Sequence, residues 1–454
     1  MSNERVIIIG AGLAGSLLAI YLAKRGITVD VYEGRGDMRL EGVAVGRSIN
    51  LALSDRGIAA LREIGMDEYM LAEAVPMHGR MIHPVSGETK LLPYSGRKGE
   101  YINSVSRAGL NIALMNEADK YEDVKFHFNQ RCVYFDCSTG EAKFSNGLRV
   151  KGDTVIATDG VGSSVRNAML HGGVERFDFS QVWLEHGYKE LHIPAGADGG
   201  FQLEKNALHI WPRNKFMMIA LPNFDGSFTC TLFLAHRPQA DGGAAFSQLI
   251  DDASVGDFFD REFPDAISRM PTLVEDFFTN PTGNLGTIKC WPWNAGGKAL
   301  LLGDSAHALV PFYGQGMNCS FEDVRVLDSL LSEPGAIANG SSPDWETIYE
   351  KYSQLRKINT DAIADMAEEN FYEMRDAVAD PVFVRKRELE TKLEQTYADY
   401  FSKYSMVTFR EDLPYSVAKA KGNAQDALLM KLCAGVGSVS ELDIGNVFAA
   451  VREL

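Results

Sequence analysis

The chain has 454 residues, of which 45% are hydrophobic and 23% are charged. This length exceeds one ordinary core, and the composition excludes a disordered, collagen-like or coiled-coil protein. The net charge of −16 disfavours nucleic acid or an anionic membrane surface as the main partner. We therefore expect two interleaved domains, in which any anionic ligand is bound by a local group of cations.

Residues 6–23 carry no charge, so hydropathy alone would make them a candidate membrane span or signal peptide. Their internal order argues against this, because apolar residues 6–9 run into a glycine-rich turn, a helical stretch and a second strand over residues 28–32. This order predicts the start of a βαβ unit. Charges interrupt every apolar run near the C-terminus, so we expect no membrane partner.

The turn has the pattern Gly10-x-Gly12-x-x-Gly15, and Glu33 ends the next strand. Glycines at these positions permit a tight turn and a close approach of the backbone to a pyrophosphate at the helix N-terminus. A carboxylate at the end of the second strand can accept hydrogen bonds from ribose hydroxyls. The segment therefore predicts a dinucleotide site, although it does not distinguish FAD from NAD.

The rest of the first 170 residues alternates strand-like runs with helical ones, which is typical of an α/β fold. Closely spaced strands follow from about residue 187 and predict a mostly antiparallel second sheet. A buried-strand pattern at 298–304 and a helix at 318–331 return to the α/β pattern, so the nucleotide domain is predicted to be discontinuous. Helical spacing at 345–374 and 383–400 predicts a helical C-terminal region.

These patterns predict an α/β protein with a Rossmann-like, discontinuous FAD-binding domain, an antiparallel-sheet substrate domain and a helical C-terminal region. The Gly-Ser-Ser-Pro segment at 340–343 is the clearest linker. The predicted boundaries are 1–178 and 291–340 for the FAD-binding domain, 179–290 for the substrate domain and 344–454 for the helical region.

Six cysteines are scattered without a C-x-x-C pair, which suggests neither a zinc site nor a disulfide framework. We expect no metal and a cytoplasmic location. His307 lacks an evident catalytic partner, so a structural role is favoured for it.

Two later segments, 158–166 and 303–318, each follow a predicted strand. Their Asp159-Gly160 and Gly303-Asp304 pairs resemble the FAD-dependent aromatic hydroxylases of the p-hydroxybenzoate hydroxylase fold, in which both segments flank one flavin. That family usually has glycine where Ala157 stands here. The Asp304 carboxylate can accept from ribityl hydroxyls, and a helix opening at residues 316–318 can point its N–H groups at an electron-rich ring edge.

Segments outside the cofactor motifs resemble the kynurenine 3-monooxygenase family over nearly the whole chain. They are 46–53, 79–83, 92–94, 186–191, 206–212, 311–318, 369–370 and 404–409. The resemblance implies that the amino-acid end of the substrate is held by Arg80, Tyr94, Asn370 and Tyr404. It places the aromatic ring against Leu208, Met217, Ile219, Leu221 and Phe233, although ordinary core packing explains these five nearly as well.

Position by position, the resemblance also implies a set of flavin contacts, with Cys132 contributing through its backbone. Together with the glycine turn and the two aspartate segments, the predicted cofactor residues are Gly10, Gly12, Leu13, Gly15, Glu33, Arg35, Ala52, Arg107, Cys132, Asp159, Asp304, Gly316, Met317 and Asn318.

The resemblance implies hydroxylation of L-kynurenine to 3-hydroxykynurenine with NADPH and O2, through a flavin C4a-hydroperoxide, in tryptophan catabolism or NAD biosynthesis. The flavin carries the reaction, so no catalytic side chain is predicted. FAD is expected to bind tightly and non-covalently. NADPH is expected to bind transiently, because the chain has one complete dinucleotide fingerprint. A homodimer is left open.

Three alternatives remain at this stage. One is a hydroxylase of another aromatic acid, and a second is a halogenase, suggested by Trp291-Pro-Trp293 but disfavoured by the Asn-Ala-Gly that follows. The third is a non-enzymatic scaffold like the GDP dissociation inhibitors, which have a related fold without FAD.

Overall fold

A computed structural model describes residues 4–40, 50–240, 242–336, 342–375 and 380–454. The helices are α1 Leu13–Ala23, α2 Asp55–Glu63, α3 Asp67–Ala72, α4 Arg107–Ala118, α5 Ser164–Ala168, α6 Asp252–Glu262, α7 Pro264–Ile267, α8 Leu273–Thr279, α9 Gly316–Leu331, α10 Trp345–Arg375, α11 Pro381–Thr396, α12 Lys403–Thr408, α13 Tyr415–Ala434 and α14 Ile444–Arg452. The strands are β1 Arg5–Ile9, β2 Thr28–Tyr32, β3 Asn50–Leu53, β4 Val75–Met77, β5 Gly79–Ile82, β6 Lys90–Pro93, β7 Ile102–Ser106, β8 Val124–His127, β9 Cys132–Asp136, β10 Glu141–Phe144, β11 Arg149–Lys151, β12 Thr154–Ala157, β13 Asp178–Ile193, β14 Ala207–Pro212, β15 Met217–Pro222, β16 Phe228–Ala235, β17 Gly283–Trp291, β18 Asn294–Ala295 and β19 Ala299–Leu301.

A six-stranded sheet in the order β18-β19-β12-β1-β2-β8 forms the first layer. Its strands run parallel except for β18, which pairs antiparallel with β19. Residues 6–9 of β1 are buried, as expected for a central parallel strand with a continuous apolar sequence. The predicted βαβ unit is therefore β1-α1-β2. Strand β19 joins this sheet from a distant part of the chain, which confirms the discontinuous domain.

A seven-stranded sheet in the order β17-β13-β16-β15-β14-β5-β6 forms the second layer. Its pairs are antiparallel except β14 with β5, so the prediction of a mostly antiparallel sheet is confirmed. Strands β5 and β6 come from residues 79–93, so the chain enters this sheet long before residue 179. The domain boundaries themselves stay predictions.

All eight residues of β16 are buried, because both faces of this sheet are covered. One face packs on a cluster that includes residues of α6, α7 and α8. The other face packs on a cluster that includes residues of α10, α12 and α13. The second cluster is the one that borders the site described below.

The helical C-terminal region is present as predicted, with its own small core around Leu389, Leu393, Leu429 and Val447. Residues 340 and 341 of the predicted linker, and 46–49 of one resemblance segment, lie outside the described residues. Among the helices described, none combines the length and the hydropathy needed to cross a bilayer.

Candidate active site

A cavity of about 790 Å³ lies between the two large sheets. Its lining comes from the carboxyl ends of β1, β2 and β12, from β5, β14, β15 and β16, from the start of α9 and from α12. The volume lies within the usual range for small-molecule and cofactor sites. The dinucleotide turn and seven of the nine predicted substrate residues thus share one continuous space.

The glycine turn leaves the first turn of α1 open to this space. A Cβ at Gly15 would lie 2.0 Å from the Gly10 carbonyl oxygen, so only glycine allows the helix to approach the strand. At Gly12 a Cβ would meet no atom of the described residues within 4 Å. Gly12 is the N-cap of α1 and has no side-chain cap, so the N–H groups there suit a pyrophosphate.

Glu33 lies at the end of β2, where its carboxylate accepts hydrogen bonds from the Ala11 N–H at 2.9 Å and from Arg35 Nε at 2.8 Å. Burial would raise the pKa of Glu33, but these hydrogen bonds outweigh it and hold the pKa below its ordinary value. An ionised carboxylate has acceptor capacity left for ribose hydroxyls. The residues therefore fit the adenosine end of FAD.

Two aspartates also line the cavity. Asp159 accepts from the Ser164 N–H at 2.7 Å and from the Ser305 hydroxyl at 3.0 Å, and burial raises its pKa. Burial also raises the pKa of Asp304, against the effect of the Arg107 charge. Asp304 lines the cavity, so a ligand hydroxyl can replace the water that a buried carboxylate loses.

Cys132 lines the cavity at the start of β9. Its carbonyl already accepts from the Ser164 hydroxyl at 2.8 Å. Burial raises the pKa of its thiol to about 12, so the sulfur stays protonated and is a poor nucleophile.

The start of α9 opens into the same cavity, where Gly316 and Met317 are part of the lining. The N-cap, Gln315, has no side-chain cap, which leaves the positive end of this long helix facing the space. Asn318 lies in the same first turn, where its backbone N–H is the group predicted to face the flavin, and its side chain does not line the cavity. It accepts from the Ser54 N–H at 3.0 Å and donates to the carbonyl oxygen of Ala52 at 2.8 Å.

At the other end of the cavity, Arg80, Tyr94 and Tyr404 are in contact. The rings of Tyr94 and Tyr404 stack with centroids 5.1 Å apart, and the Arg80 guanidinium lies 5.1 Å from the Tyr404 ring centroid. Burial raises the pKa of both tyrosines, so both hydroxyls are protonated donors. Arg80 Nε and the Tyr94 hydroxyl are buried without a hydrogen-bond partner among the described residues.

Asn370 lies beside these residues but not on the main cavity. Its amide donates to the Phe312 carbonyl at 2.6 Å, and it lines a small adjoining pocket together with Arg80 and Tyr404. Glu373, one helical turn further along α10, has a carboxylate oxygen 3.8 Å from an Arg80 nitrogen. Arg80 is therefore oriented by a carboxylate, while its Nε has no partner within the described part of the chain and can donate to a ligand.

An apolar wall on β14, β15 and β16 faces the cavity through Leu208, Ile219, Leu221 and Phe233. Met217 is fully buried in the adjoining core and does not line the space.

In sum, the cavity lining includes the predicted residues Gly10, Gly12, Leu13, Glu33, Arg35, Ala52, Arg80, Tyr94, Arg107, Cys132, Asp159, Leu208, Ile219, Leu221, Phe233, Asp304, Gly316, Met317 and Tyr404. Gly15, Met217, Asn318 and Asn370 lie next to it. Sequence reasoning left out other lining residues, among them Trp183, Tyr188, Asn284, Phe312, Tyr313 and Met374. Tyr188, Phe312 and Tyr313 lie in segments that carried the family resemblance, which was a usable signal; the other three lie in no motif.

In the 303–318 segment and on α9, the side chains of His307, Cys319 and Asp323 place atoms that could bind a metal within 4.8 Å of one another. His307 Nε2 lies 2.6 Å from the Asp323 carboxylate, whose other oxygen accepts from Arg356 at 2.7 Å. Because a guanidinium already neutralises this carboxylate, the group is an internal ion-pair network, which agrees with a structural role for His307.

Comparison with known proteins identifies the family. Residues 3–191 and 270–365 match the family model described as FAD binding domain. A Myxococcus xanthus protein named kynurenine 3-monooxygenase is 46% identical over 99% of this chain and 95% of its own length. A Dictyostelium discoideum protein of the same name is 44% identical over 95% of this chain and 94% of its own. The chain belongs to the kynurenine 3-monooxygenase family. It is therefore an FAD-dependent monooxygenase, and the alternative of a scaffold without FAD is set aside.

Solved structures agree on the fold. The tetrameric form of 2-methyl-3-hydroxypyridine-5-carboxylic acid oxygenase matches with a TM-score of 0.66 at 20% identity, covering 86% of this chain and 98% of its own. The tetracycline destructase Tet(51) matches with a TM-score of 0.60 at 16% identity, covering 87% and 97%. At these identities the likeness concerns the fold alone.

Proposed function

We propose that the chain hydroxylates L-kynurenine to 3-hydroxykynurenine, with NADPH and O2 as co-substrates and FAD as the cofactor. One observation carries the proposal: Arg80 Nε and the Tyr94 hydroxyl, which have no hydrogen-bond partner among the described residues, belong to residues that line the same cavity as the dinucleotide turn. The chain that carries these residues is 46% identical to a protein named kynurenine 3-monooxygenase.

We name the predicted group Arg80, Tyr94, Asn370 and Tyr404 the substrate clamp. These clamp residues suit the amino-acid end of this substrate. The Arg80 guanidinium matches a carboxylate in charge and planar geometry, and the hydroxyls of Tyr94 and Tyr404 are donors. A carboxylate bound there also supplies acceptors to buried polar atoms that have no partner in the part of the chain that the structure describes, which favours binding.

The apolar wall then orients the aromatic ring and excludes water from it. FAD, when bound, supplies the redox chemistry with NADPH and O2. The open first turn of α1 and Glu33 would hold its adenosine diphosphate end, and Asp304 with the start of α9 its flavin end. The positive end of α9 favours negative charge near it, and this is where the chain supports the flavin electrostatically.

NADPH, in this proposal, binds transiently without a domain of its own. The six cysteines are free, which supports a reducing compartment, the cytoplasm. The reaction serves tryptophan catabolism or NAD biosynthesis. We keep a homodimer as an open part of the proposal.

The test is NADPH oxidation by the purified yellow protein with and without L-kynurenine, with the product identified by mass spectrometry. A product heavier by one oxygen atom supports the proposal. NADPH consumption that yields only hydrogen peroxide would make kynurenine an effector instead of the substrate. No stimulation by kynurenine would favour a hydroxylase of another aromatic acid, to be sought with a panel of such acids.

A further inference from the structure

Arg56, in the first turn of α2, is a fully buried cation that does not line the cavity. Its Nε donates to the Val407 carbonyl at 3.0 Å, and a terminal nitrogen donates to the Arg410 carbonyl at 3.0 Å and also to that of Leu413. Its other terminal nitrogen pairs with the Glu322 carboxylate. One guanidinium thus contacts three separate main-chain carbonyls and one acid.

These carbonyls belong to the end of the segment that carries Tyr404. Val407 is in the last turn of α12, and residues 410 and 413 lead from that helix into α13. The last carbonyls of a helix lack partners within the helix and favour a nearby positive charge. Arg56 supplies both the charge and the donors, so it holds α12 at its C-terminal end.

Residues next to Arg56 also contact the start of α9. The Ser54 N–H donates to the Asn318 side chain. The Arg56 guanidinium lies 3.9 Å from the Tyr415 ring centroid, and the Tyr415 hydroxyl donates to the Gln315 side chain at 2.9 Å. Gln315 is the N-cap of α9, and Glu322 lies on that helix. Arg56 therefore links the helix that carries Tyr404 to the helix that opens toward the cavity.

We propose that Arg56 is a positioning residue for the hydroxylation, which keeps Tyr404 of the substrate clamp in register with the start of α9. This inference rests on the proposed function. A lysine in its place would keep a charge for Glu322, but its single ammonium cannot reach three carbonyls in different directions. The geometry therefore requires arginine, although Arg56 does not line the cavity.

The test compares the wild-type holoenzyme with Arg56→Lys, Glu322→Gln and Tyr415→Phe. We expect Arg56→Lys to raise the KM for L-kynurenine about tenfold. A displaced Tyr404 would lose its hydrogen bond to the substrate carboxylate, and the loss of one hydrogen bond to a charged group has about this effect. FAD content should stay unchanged, and hydrogen exchange of the amides at 403–413 should become faster.

Tyr415→Phe removes only the bond to Gln315 and keeps every Arg56 contact, so it should leave the exchange at 403–413 unchanged. Glu322→Gln removes the charge that Arg56 pairs with, so a smaller change in the same direction as in Arg56→Lys is expected, and this variant decides the question if Arg56→Lys does not fold.

Arg25→Lys is the matched control, because Arg25 pairs with Asp328 near the far end of α9 and does not line the cavity. The inference is overturned if Arg56→Lys, or Glu322→Gln where Arg56→Lys does not fold, leaves both the KM and the exchange at 403–413 as they are in Arg25→Lys. A wild-type enzyme that forms no hydroxykynurenine would instead defeat the proposed function, and the exchange rates alone would then decide whether Arg56 holds the segment.

Discussion

The clamp residues carry unsatisfied polar atoms in the ligand-free protein. Arg80 Nε and the Tyr94 hydroxyl are buried without partners among the described residues. A buried polar group without a hydrogen bond costs about 1–3 kcal/mol, and a ligand that supplies the missing acceptor recovers this cost. These two atoms therefore lower the folding stability of the ligand-free protein and raise its affinity for an anionic ligand.

Tyr94→Phe tests this directly. Removing a hydroxyl that has no partner among the residues described should leave the free energy of unfolding of the ligand-free protein unchanged or raise it by about 1 kcal/mol. The KM for L-kynurenine should rise about tenfold, because a donor to the carboxylate is lost. Urea unfolding and steady-state kinetics measure the two effects.

Tyr349→Phe is the control, since the buried Tyr349 hydroxyl lies 2.9 Å from the Thr154 hydroxyl. Here the free energy of unfolding should fall by about 1 kcal/mol while the KM stays constant. If Tyr94→Phe destabilises the protein as Tyr349→Phe does, the Tyr94 hydroxyl has a structural partner and the interpretation is wrong.

At the scale of elements, the turn between β1 and α1 contains two glycines with different duties. Gly12→Ala should leave the stability of the apoprotein nearly unchanged, because the added methyl meets no atom within 4 Å in the described part of the chain. It should weaken FAD binding at least tenfold, because the methyl enters the space that faces the pyrophosphate. FAD titration followed by flavin fluorescence measures this.

Gly15→Ala should act on the fold instead, because its Cβ would lie 2.0 Å from the Gly10 carbonyl oxygen. We expect a large loss of stability even without FAD, visible as a lower midpoint of thermal unfolding of the apoprotein. Equal effects of the two substitutions on the apoprotein would contradict this division.

A second element-scale feature is the pairing of β5, which carries Arg80, with β14, which carries Leu208. Behind this pair, His83 lies 2.7 Å from the Asp265 carboxylate and 2.8 Å from His209, whose other nitrogen faces the Glu204 carbonyl at 2.8 Å. Burial lowers the pKa of His209 to about 4. The neutral imidazole is thus part of the native structure.

Acid should therefore lower the free energy of unfolding of the protein through His209. The unfolded chain takes up the His209 proton near pH 6.5 and the native state only near pH 4, so this residue makes the free energy of unfolding fall as the pH drops between those values. The slope is at most about 1.4 kcal/mol per pH unit. In His209→Gln the fall should be smaller, as measured by urea unfolding at several pH values in this window. Parallel curves for the two proteins would contradict the prediction.

At the scale of the whole molecule, the cavity separates the core of the parallel sheet from the core between the second sheet and the C-terminal helices. FAD bound there would contact both sides, so its removal should destabilise the whole chain. Free FAD at about 100 times its Kd should add about 2.7 kcal/mol to the free energy of unfolding. Thermal unfolding of the apoprotein during FAD titration measures this gain.

Riboflavin is the matched ligand, because it has the flavin ring without the adenosine diphosphate. It should stabilise the apoprotein much less, since the first turn of α1 and Glu33 would have nothing to hold. An equal shift with riboflavin would mean that the glycine turn contributes nothing to binding.

The sequence by itself determined the features that depend on neighbouring residues. The βαβ unit with Glu33 follows from apolar periodicity and from the conformational freedom of glycine, all within about 30 residues. Family resemblance placed Arg80, Tyr94 and Tyr404, which the structure brings into contact. It also placed Asn318 and Asn370 near the cavity, but it did not indicate that their amides bond the main chain instead of lining it.

Only the tertiary structure decided which distant segments meet. Residues 79–93 join the second sheet, and Arg80 acquires Glu373 as a neighbour, although no local pattern connects them. Arg56 and Val407 are 351 residues apart in the sequence, yet they share a hydrogen bond. Such partners are chosen by the simultaneous packing of all the elements and by the need of buried polar groups for hydrogen bonds, and neither has a signature within a short stretch of chain.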